Sequence, residues 1–292
     1  MKTSLFHMQA ISPVHVGVGQ AIGVVDLPIA RERAANLPMI PGSAIKGVLR
    51  DSFAGARELQ KTLFGPDQIS KNEDSHAGAL VFGDALLLVL PVRSLVGMVS
   101  FVTSPFLLSR YQQMAKRCGQ SGLPNIPDLT QENNALVTDT SRNITRAGAQ
   151  QRDMLILEDL DLFASKSPDA EAWSKWISAQ LQDEEWQQHF HARFAIVSDA
   201  VLGFLADTAT EIRSRIRIDD DKRTVAKGAL WYEENLPAES ILFGLLGFDQ
   251  PFDGSDVDTQ AAFLAHLQDP DRSLLQIGGK ASIGRGLIRI LA

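Results

Sequence analysis

Short runs of apolar and β-branched residues recur along the 292-residue chain and alternate with stretches of helical periodicity. Strands are predicted at 4–11, 79–82, 85–90 and 97–103. Helices are predicted at 105–117 and 170–182, and residues 190–206 are predicted as a strand followed by a helix. This mixture of many strands and few helices favours an α+β fold with insertions.

The clearest helical pattern begins at Ser43, which is predicted to be the N-cap, and continues to Gly65-Pro66. Its basic residues form a stripe beside the apolar face and are Lys46, Arg50, Arg57 and Lys61. Because a helix N-terminus presents free N–H groups, Ser43, Lys46 and Arg50 could bind phosphate. The alternative is a capped surface helix with solvated charges.

A β-hairpin is predicted at 211–236, where the sequence alternates on both sides of an acidic turn. The period of two places Arg213, Arg215 and Arg217 on one face, and the guanidinium fork suits phosphate. The alternative is an edge strand that its charges protect from aggregation. At the end of the return strand, Tyr232 and Glu233 could offer a stacking surface and an acid. The alternative is that they only belong to the hydrophobic core and its rim.

Near the end of the chain, IGGKASIGRGLIRI is a glycine-rich loop between two predicted strands. Its glycines would let the backbone approach a ligand closely, and they are Gly278, Gly279, Gly284 and Gly286. Lys280 and Arg285 add positive charge. A glycine-rich turn without a ligand is the alternative.

Two residues flank another glycine-rich loop, His15 and Asp26. A carboxylate can hold a metal or a water, and a histidine can move a proton near neutral pH. The alternatives are a turn-capping aspartate and a partly buried histidine. Residues 119–150 show little periodicity and predict a loop-rich insertion.

The net charge of −7 argues mildly against indiscriminate nucleic-acid binding, but its distribution is uneven. Residues 1–61 carry seven basic groups against four acids, whereas 151–191 carry nine acids against three bases. The single cysteine excludes an internal disulfide framework. No apolar run is long enough to span a bilayer, so a cytoplasmic protein without a membrane partner is expected.

Four segments together resemble the CRISPR proteins of the RAMP superfamily. They are SPVHVGVGQAIGVVDLPIARERAANLPMIPGSAIKGVLR, GGKASIGRGLIRI, LLVLPVRSLVGMVSFVTSPFLLSRY and RIRIDDDKRTVAKGALWYEENLP. The last two look like the backbone subunit of the type III-B (Cmr) complex. The resemblance covers most of the chain except 119–190.

This resemblance implies a single RAMP domain over 1–292, with an RRM-like (ferredoxin-like) palm, insertions and a protruding β-hairpin thumb at 211–236. Copies of the chain would form a filament on CRISPR guide RNA, together with other subunits of the Cmr complex. The filament would act in antiviral defence as an endoribonuclease that cleaves the paired target single-stranded RNA at regular intervals.

The resemblance also implies roles for individual residues. Asp26 would be catalytic and would hold a divalent cation, expected to be Mg²⁺, and His15 would lie in the same loop. Lys46 and Arg50 would contact the guide backbone, while Tyr232 and Glu233 would lie near a neighbouring copy's active site. Two alternatives are a non-catalytic guide-binding scaffold and a RAMP endonuclease that processes the guide precursor.

Overall fold

The computed structural model describes residues 1–19, 25–66, 76–147, 151–181, 184–219 and 221–292. The strands are β1 (Lys2–Ala10), β2 (Met39–Ile40), β3 (Leu80–Phe82), β4 (Ala85–Ser94), β5 (Met98–Thr103), β6 (Asn134–Val137), β7 (Ile144–Ala147), β8 (Arg152–Leu157), β9 (Leu160–Lys166), β10 (Phe194–Val197), β11 (Glu211–Ile218), β12 (Val225–Asn235), β13 (Ile241–Phe248), β14 (Leu274–Gln276) and β15 (Leu287–Leu291). The helices are α1 (Gly42–Ser52), α2 (Arg57–Phe64), α3 (Pro105–Arg117), α4 (Pro168–Ser178), α5 (Glu184–His191), α6 (Asp199–Thr208) and α7 (Thr259–Leu267), with a 3-10 turn at Ala281–Ile283.

Thirteen strands form one sheet in the order β14-β15-β1-β13-β4-β5-β10-β6-β9-β8-β7, with β2 beside β4 and β3 beside β13. Ser94 of β4 also pairs with Leu157 of β8, so six of these strands form a closed, barrel-like ring. Most pairings are antiparallel, but β10 is parallel to β5 and β6 is parallel to β9. The α+β prediction is confirmed.

From Leu5 to Ala10 both faces of β1 are buried, including the polar side chains of His7 and Gln9. Phe6 and Met8 belong to a hydrophobic cluster that includes residues of α1, α2 and α7. Leu5 points to the opposite face and belongs to a second cluster, which includes residues of α3, α4 and α5. The sheet is therefore covered by helices on two sides.

The prediction of one helix from Ser43 to Gly65 is wrong, because α1 ends at Ser52 and α2 begins at Arg57. Phe53 in the intervening turn is only 2% exposed. Its ring stacks on His266 at the end of α7, with 3.6 Å between the ring centroids. This packing favours the break and separates the predicted basic stripe into two parts.

The predicted N-cap of α1 is also wrong, because Pro41 rather than Ser43 holds that position. The first helical N–H group, on Gly42, donates to Asp84 Oδ1 at 2.8 Å. The N-terminus of α1 is thus already neutralised by a carboxylate from the turn between β3 and β4.

The range 119–150 contains more regular structure than its sequence predicts. It includes β6, which pairs with β9 and β10, and β7, which pairs with β8. Residues 118–133 have no helix or strand, so the loop-rich description holds only for the first half. Residues 148–150 of the predicted insertion lie outside the described residues.

The predicted hairpin is present as β11 and β12, which form their own two-stranded sheet. One of its faces carries exposed apolar side chains, which are Ile212, Ile216, Leu230 and Tyr232. The other face carries Arg213 and Arg215, and Arg217 lies at the irregularity between Ile216 and Ile218. Asp220 of the turn lies outside the described residues, as do residues 20–24 of the first glycine-rich loop.

Within the described ranges, no helix combines the length and apolar composition needed to cross a membrane.

Candidate functional site

The end of the hairpin strand β12 organises the candidate site. Leu27 pairs in parallel with Glu233, through Leu27 N–H to Tyr232 O at 3.1 Å and Glu234 N–H to Leu27 O at 3.0 Å. Asp26 Oδ2 accepts a hydrogen bond from Tyr232 N–H at 2.8 Å, and the Asp26 side chain is exposed. Asp26 therefore lies on an extended segment beside the hairpin base, with its carboxylate accessible.

His15 is attached to the same strand from the other side. The ring is 6% exposed, and Nδ1 lies 2.7 Å from Glu234 O. Because a carbonyl only accepts, Nδ1 donates this hydrogen bond. Gly17 packs on the other ring nitrogen so closely that a Cβ there would lie 2.9 Å from Nε2. His15 is thus fixed to β12 through Nδ1 and covered at Nε2.

Glu234 connects the hairpin base to the Asp26 segment through buried contacts. Its carboxylate accepts from Ile29 N–H at 3.1 Å, from Thr210 Oγ1–H at 3.0 Å and from Arg31 Nη2–H at 2.5 Å. Arg31 also donates to Ala206 O at the end of α6. Sequence reasoning did not identify Arg31 or Glu234, because their partners are far apart along the chain.

Glu233 is completely buried, yet neither of its carboxylate oxygens has a hydrogen bond among the described residues. Two cations lie nearby, Arg215 Nε at 3.4 Å and Lys280 Nζ at 3.9 Å. These distances allow ion pairing, but the geometry is not that of hydrogen bonds. Glu233 thus links the hairpin to the C-terminal glycine-rich loop electrostatically.

The three arginines on the hairpin have different environments. Arg213 forms an ion pair with Glu211 at 2.9 Å, and Arg215 faces Glu233. Arg217 is exposed near the tip. Contact of the three arginines with RNA stays a prediction. Arg217 is the best placed of them, because Arg213 and Arg215 already face carboxylates.

The C-terminal glycine-rich loop packs against the His15 segment. Gly279 N–H donates to His15 O at 2.9 Å, and a Cβ on Gly278 would lie 2.4 Å from that same oxygen. A Cβ on Gly286 would lie 2.2 Å from Ile277 O. Gly278 and Gly286 therefore allow the chain to approach its own backbone. A Cβ on Gly284 would meet no atom within 4 Å among the described residues.

The two charged residues of the loop, Lys280 and Arg285, are both partly buried. Lys280 has a left-handed conformation, with φ of 67°, and reaches toward Glu233. Arg285 has a buried Nε without a hydrogen-bond partner among the described residues. Phosphate binding by these two residues stays a prediction.

The predicted phosphate-binding residues of α1 contact neighbouring backbone. Lys46 Nζ donates to Leu80 O at 3.2 Å, and Arg50 Nη2 donates to Gly65 O at 2.8 Å. Burial, and then the nearby charge of Arg50, lower the pKa of Lys46. Ser43 and Lys46 line a cleft of about 550 Å³ beside these contacts. Lys46 lies in the wall of this cleft and Arg50 is held on Gly65 O, and guide binding by both stays a prediction.

Asp26, His15, Tyr232, Glu233 and Lys280 are thus connected through β12, although they come from three distant parts of the sequence. Among the described residues, no group of three or more His, Cys, Asp or Glu side chains could hold a metal ion. Asp26 supplies one accessible carboxylate, and Mg²⁺ commonly binds one or two carboxylates together with substrate phosphates and water. The residues present therefore fit an ion that RNA helps to hold.

A family model described as the RAMP superfamily matches residues 7–289. The chain is 31% identical to a Pyrococcus furiosus protein named CRISPR system Cmr endoribonuclease Cmr4, over 99% of this chain and 95% of that one. It is similar to the crystal structure of oligomeric Cmr4 from Pyrococcus furiosus, with TM-score 0.72, 26% identity and coverage of 100% and 97%. A chain in the cryo-EM structure of the type III-B Cmr-beta bound to cognate target RNA shares the fold, with TM-score 0.73, 20% identity and coverage of 100% and 97%.

Proposed function

Because this chain belongs to the RAMP superfamily, we propose that it is a Cmr4-type endoribonuclease, the repeated backbone subunit of a type III-B Cmr complex in the cytoplasm. It binds CRISPR guide RNA and cleaves the target RNA that pairs with it. The observation that carries this proposal is the 31% identity to the Cmr endoribonuclease of Pyrococcus furiosus over nearly the whole chain.

The partners follow from the same similarity. The oligomeric Cmr4 crystal and the Cmr-beta complex with target RNA support copies of this chain, other Cmr subunits and RNA as partners. The domain boundaries are proposals as well: one RAMP domain over 1–292, an RRM-like palm within the main sheet and a thumb at 211–236. The family match to residues 7–289 supports a single domain.

The proposed reaction is transesterification within the target strand. The 2′-OH of one nucleotide attacks the adjacent phosphorus, the bond from phosphorus to the 5′-oxygen breaks, and a 2′,3′-cyclic phosphate and a 5′-OH result. The 2′-OH proton passes to water, while the buried His15, whose Nδ1–H is anchored on Glu234 O, positions its segment against β12. The leaving 5′-oxygen takes a proton from water. When the nucleotide is turned out of the A-form helix, its 2′-OH lines up with its own phosphorus, and this positioning lowers the activation barrier by roughly several kcal/mol.

Asp26 is the residue that would hold a divalent cation, expected to be Mg²⁺. When bound, the ion neutralises charge that develops on the phosphate. Without it, the exposed Asp26 carboxylate would repel the RNA backbone. The Tyr232 N–H bond to Asp26 Oδ2 orients the carboxylate toward the base of the hairpin.

The test is Asp26→Asn in the assembled complex, with Asp161→Asn on the exposed side of β9 as a control of equal charge change. Asp26→Asn should lower cleavage at every regularly spaced site by about 100-fold or more and leave assembly and target binding intact. The unaltered complex should release 2′,3′-cyclic phosphate ends, detected by mass spectrometry. Undiminished cleavage by Asp26→Asn would identify the chain as a scaffold and place the cutting elsewhere.

A further inference from the structure

The Asp26 segment, residues 25–38, is joined to the base of the hairpin at two successive points. At the first, Leu27 pairs with β12 through its own backbone N–H and C=O groups. At the second, Ile29 N–H donates to the Glu234 carboxylate at 3.1 Å, so a side chain of β12 takes the place of its backbone. The position of the Asp26 segment therefore depends on where the Glu234 carboxylate is held.

Arg31 holds that carboxylate. Its Nη2 group donates to Glu234 Oε1 at 2.5 Å and to Ala206 O, near the end of α6, at 2.9 Å. Its Nη1 group donates to Asn36 O at 2.8 Å and lies 3.3 Å from Asp207 Oδ1. Because the guanidinium is planar and its donors point in fixed directions, these contacts set the relative positions of the Asp26 segment, α6 and β12.

Burial makes the pair between Arg31 and Glu234 different from a surface ion pair. The Arg31 side chain is 16% exposed and the Glu234 side chain is 7% exposed. Salt screens a pair at this depth weakly, and the loss of one partner leaves a buried charge without compensation. The pair therefore restrains the two segments that it joins.

The far end of the Asp26 segment is fixed independently. Both oxygens of the Glu32 carboxylate accept from Arg110 of α3, at 2.8 and 2.7 Å. Glu32 also closes a turn, because its N–H donates to Leu37 O and its C=O accepts from Asn36 N–H, each at 2.9 Å. Arg31 thus stands between a part of the segment that is fixed on α3 and the part that carries Asp26.

The end of β12 reaches Asp26 by two routes. Tyr232 N–H donates to Asp26 Oδ2 at 2.8 Å, and Glu234, two residues further along, binds Ile29 and Arg31. Arg31 itself is partly buried and its donors are already used, so it acts on Asp26 through Glu234.

We propose that Arg31 is a positioning residue for RNA cleavage, which fixes the Asp26 segment on the hairpin base through Glu234 and so keeps the Asp26 carboxylate at its place beside the target strand. This inference rests on the proposed function, because the position of Asp26 affects cleavage only if Asp26 takes part in it. A displacement of about 1 Å can lower a reaction rate about 100-fold, so a small shift is measurable.

The test is Arg31→Lys in the assembled complex, because lysine keeps the charge but not the fork of donors. The single-turnover rate constant for cleavage at saturating target RNA should fall about tenfold or more, while the Kd for target RNA changes less than about twofold. Loss of folded protein would lower the amplitude of the reaction and leave the rate constant of the remaining sites unchanged.

Arg193→Lys is the matched control. Arg193 is also partly buried and donates to Gly97 O and to His189, away from the hairpin base. The same substitution there should leave the rate constant for cleavage unchanged. Equal rate constants for Arg31→Lys and Arg193→Lys would overturn the proposal.

Glu234→Gln tests whether Arg31 acts through Glu234. This variant should also slow cleavage, because an amide offers one acceptor oxygen where the carboxylate offers two. Since both substitutions remove the same contact, the double variant should be no more than about twofold slower than the slower single variant. Effects that multiply would show that the two residues act independently, which would overturn the proposed route.

Amide exchange of the full-length protein without RNA separates this inference from the proposed function. Arg31→Lys should speed exchange of the Ile29 amide about tenfold or more, and Arg193→Lys should not. Unchanged exchange at Ile29 would overturn the inference even where the unaltered complex cleaves RNA. Failure of the unaltered complex to cleave would instead overturn the proposed function, and with it any role of Arg31 in cleavage, whatever the exchange result.

Discussion

At the scale of single residues, the adjacent carboxylates Glu233 and Glu234 differ in how their charges are compensated. Glu234 accepts three hydrogen bonds, including one from Arg31. Glu233 has only the nearby charges of Arg215 and Lys280. Because a buried carboxylate is costly unless it is paired, the two cations offset part of the cost of burying Glu233.

Two glycines of the C-terminal loop should lose different amounts of stability on the same substitution. Gly286→Val places a Cβ 2.2 Å from Ile277 O and should lower the free energy of unfolding by about 4 kcal/mol or more. Gly284→Val meets open space and should cost about 2 kcal/mol, from its positive φ of 77° alone. Denaturant unfolding measures both.

RNA retention completes this comparison. Gly284→Val should abolish retention of RNA by a folded protein, because the side chain blocks close approach of a ligand to the loop. Retention equal to that of the unaltered protein would mean that Gly284 forms a turn and no RNA contact.

His7 should make stability depend on pH. Its pKa is about 4 in the folded protein and 6.5 in the unfolded chain, so the unfolded chain binds more protons between these values. The contribution is fully present above pH 6.5 and is lost as pH falls toward 4, by about 2 kcal/mol between pH 7.5 and 5. His7→Gln should flatten the measured profile by that amount. Parallel profiles would show that His7 is not protonated on unfolding.

At the scale of elements, the basic residues fall on two helices with different surroundings. Lys46 of α1 lines the cleft beside β3 and Arg50 is held on Gly65 O, whereas Lys61 of α2 pairs with Glu58 at 3.6 Å. The break at Phe53 accompanies this difference, because it divides the basic residues between two separate helices. A continuous helix would have made the four cations equivalent.

The double variant Lys46→Met/Arg50→Met should weaken RNA binding regardless of RNA sequence, while the methionine stems keep most of the local packing. The slope of log K against log salt should fall by about 1.4, corresponding to two phosphate contacts on a single strand. Arg57→Met/Lys61→Met on α2 removes the same charge and should leave the slope unchanged. If the two variants behave alike in a salt titration, α1 has no specific phosphate contacts.

At the scale of the whole molecule, the net charge of −7 does not prevent RNA binding if the charges are segregated. The N-terminal 61 residues are net basic, and they contribute β1, α1 and the Asp26 segment, while residues 151–191 are net acidic. Segregation of this kind lets copies align on RNA through one region and expose another to solvent or to neighbouring subunits.

A filament subunit should bind longer guides in more copies. Native mass spectrometry of the protein with guide RNAs of increasing length should show masses that rise in steps of one 31.9 kDa chain. The reason is that each copy would cover a fixed length of backbone through its own phosphate contacts. A constant single copy on every guide would contradict the filament and favour a solitary processing enzyme.

Local sequence patterns predict the type of most elements, and the sequence motifs indicate the family. β1, β4, β5, α3, α4, the β10–α6 pair and the hairpin are close to their predicted positions, because side-chain period and turn residues are local properties. The motifs around Asp26 and the C-terminal glycines identified the RAMP superfamily, to which the chain belongs.

How these elements pack together follows from contacts between distant segments. The break at Phe53 depends on His266, the first N–H group of α1 on Asp84, and the strand β6 on β9 and β10. The contact between Arg31 and Glu234, 203 residues apart, likewise has no local signal. Burial and pairing are relations between distant segments, so a pattern read along one segment cannot contain them.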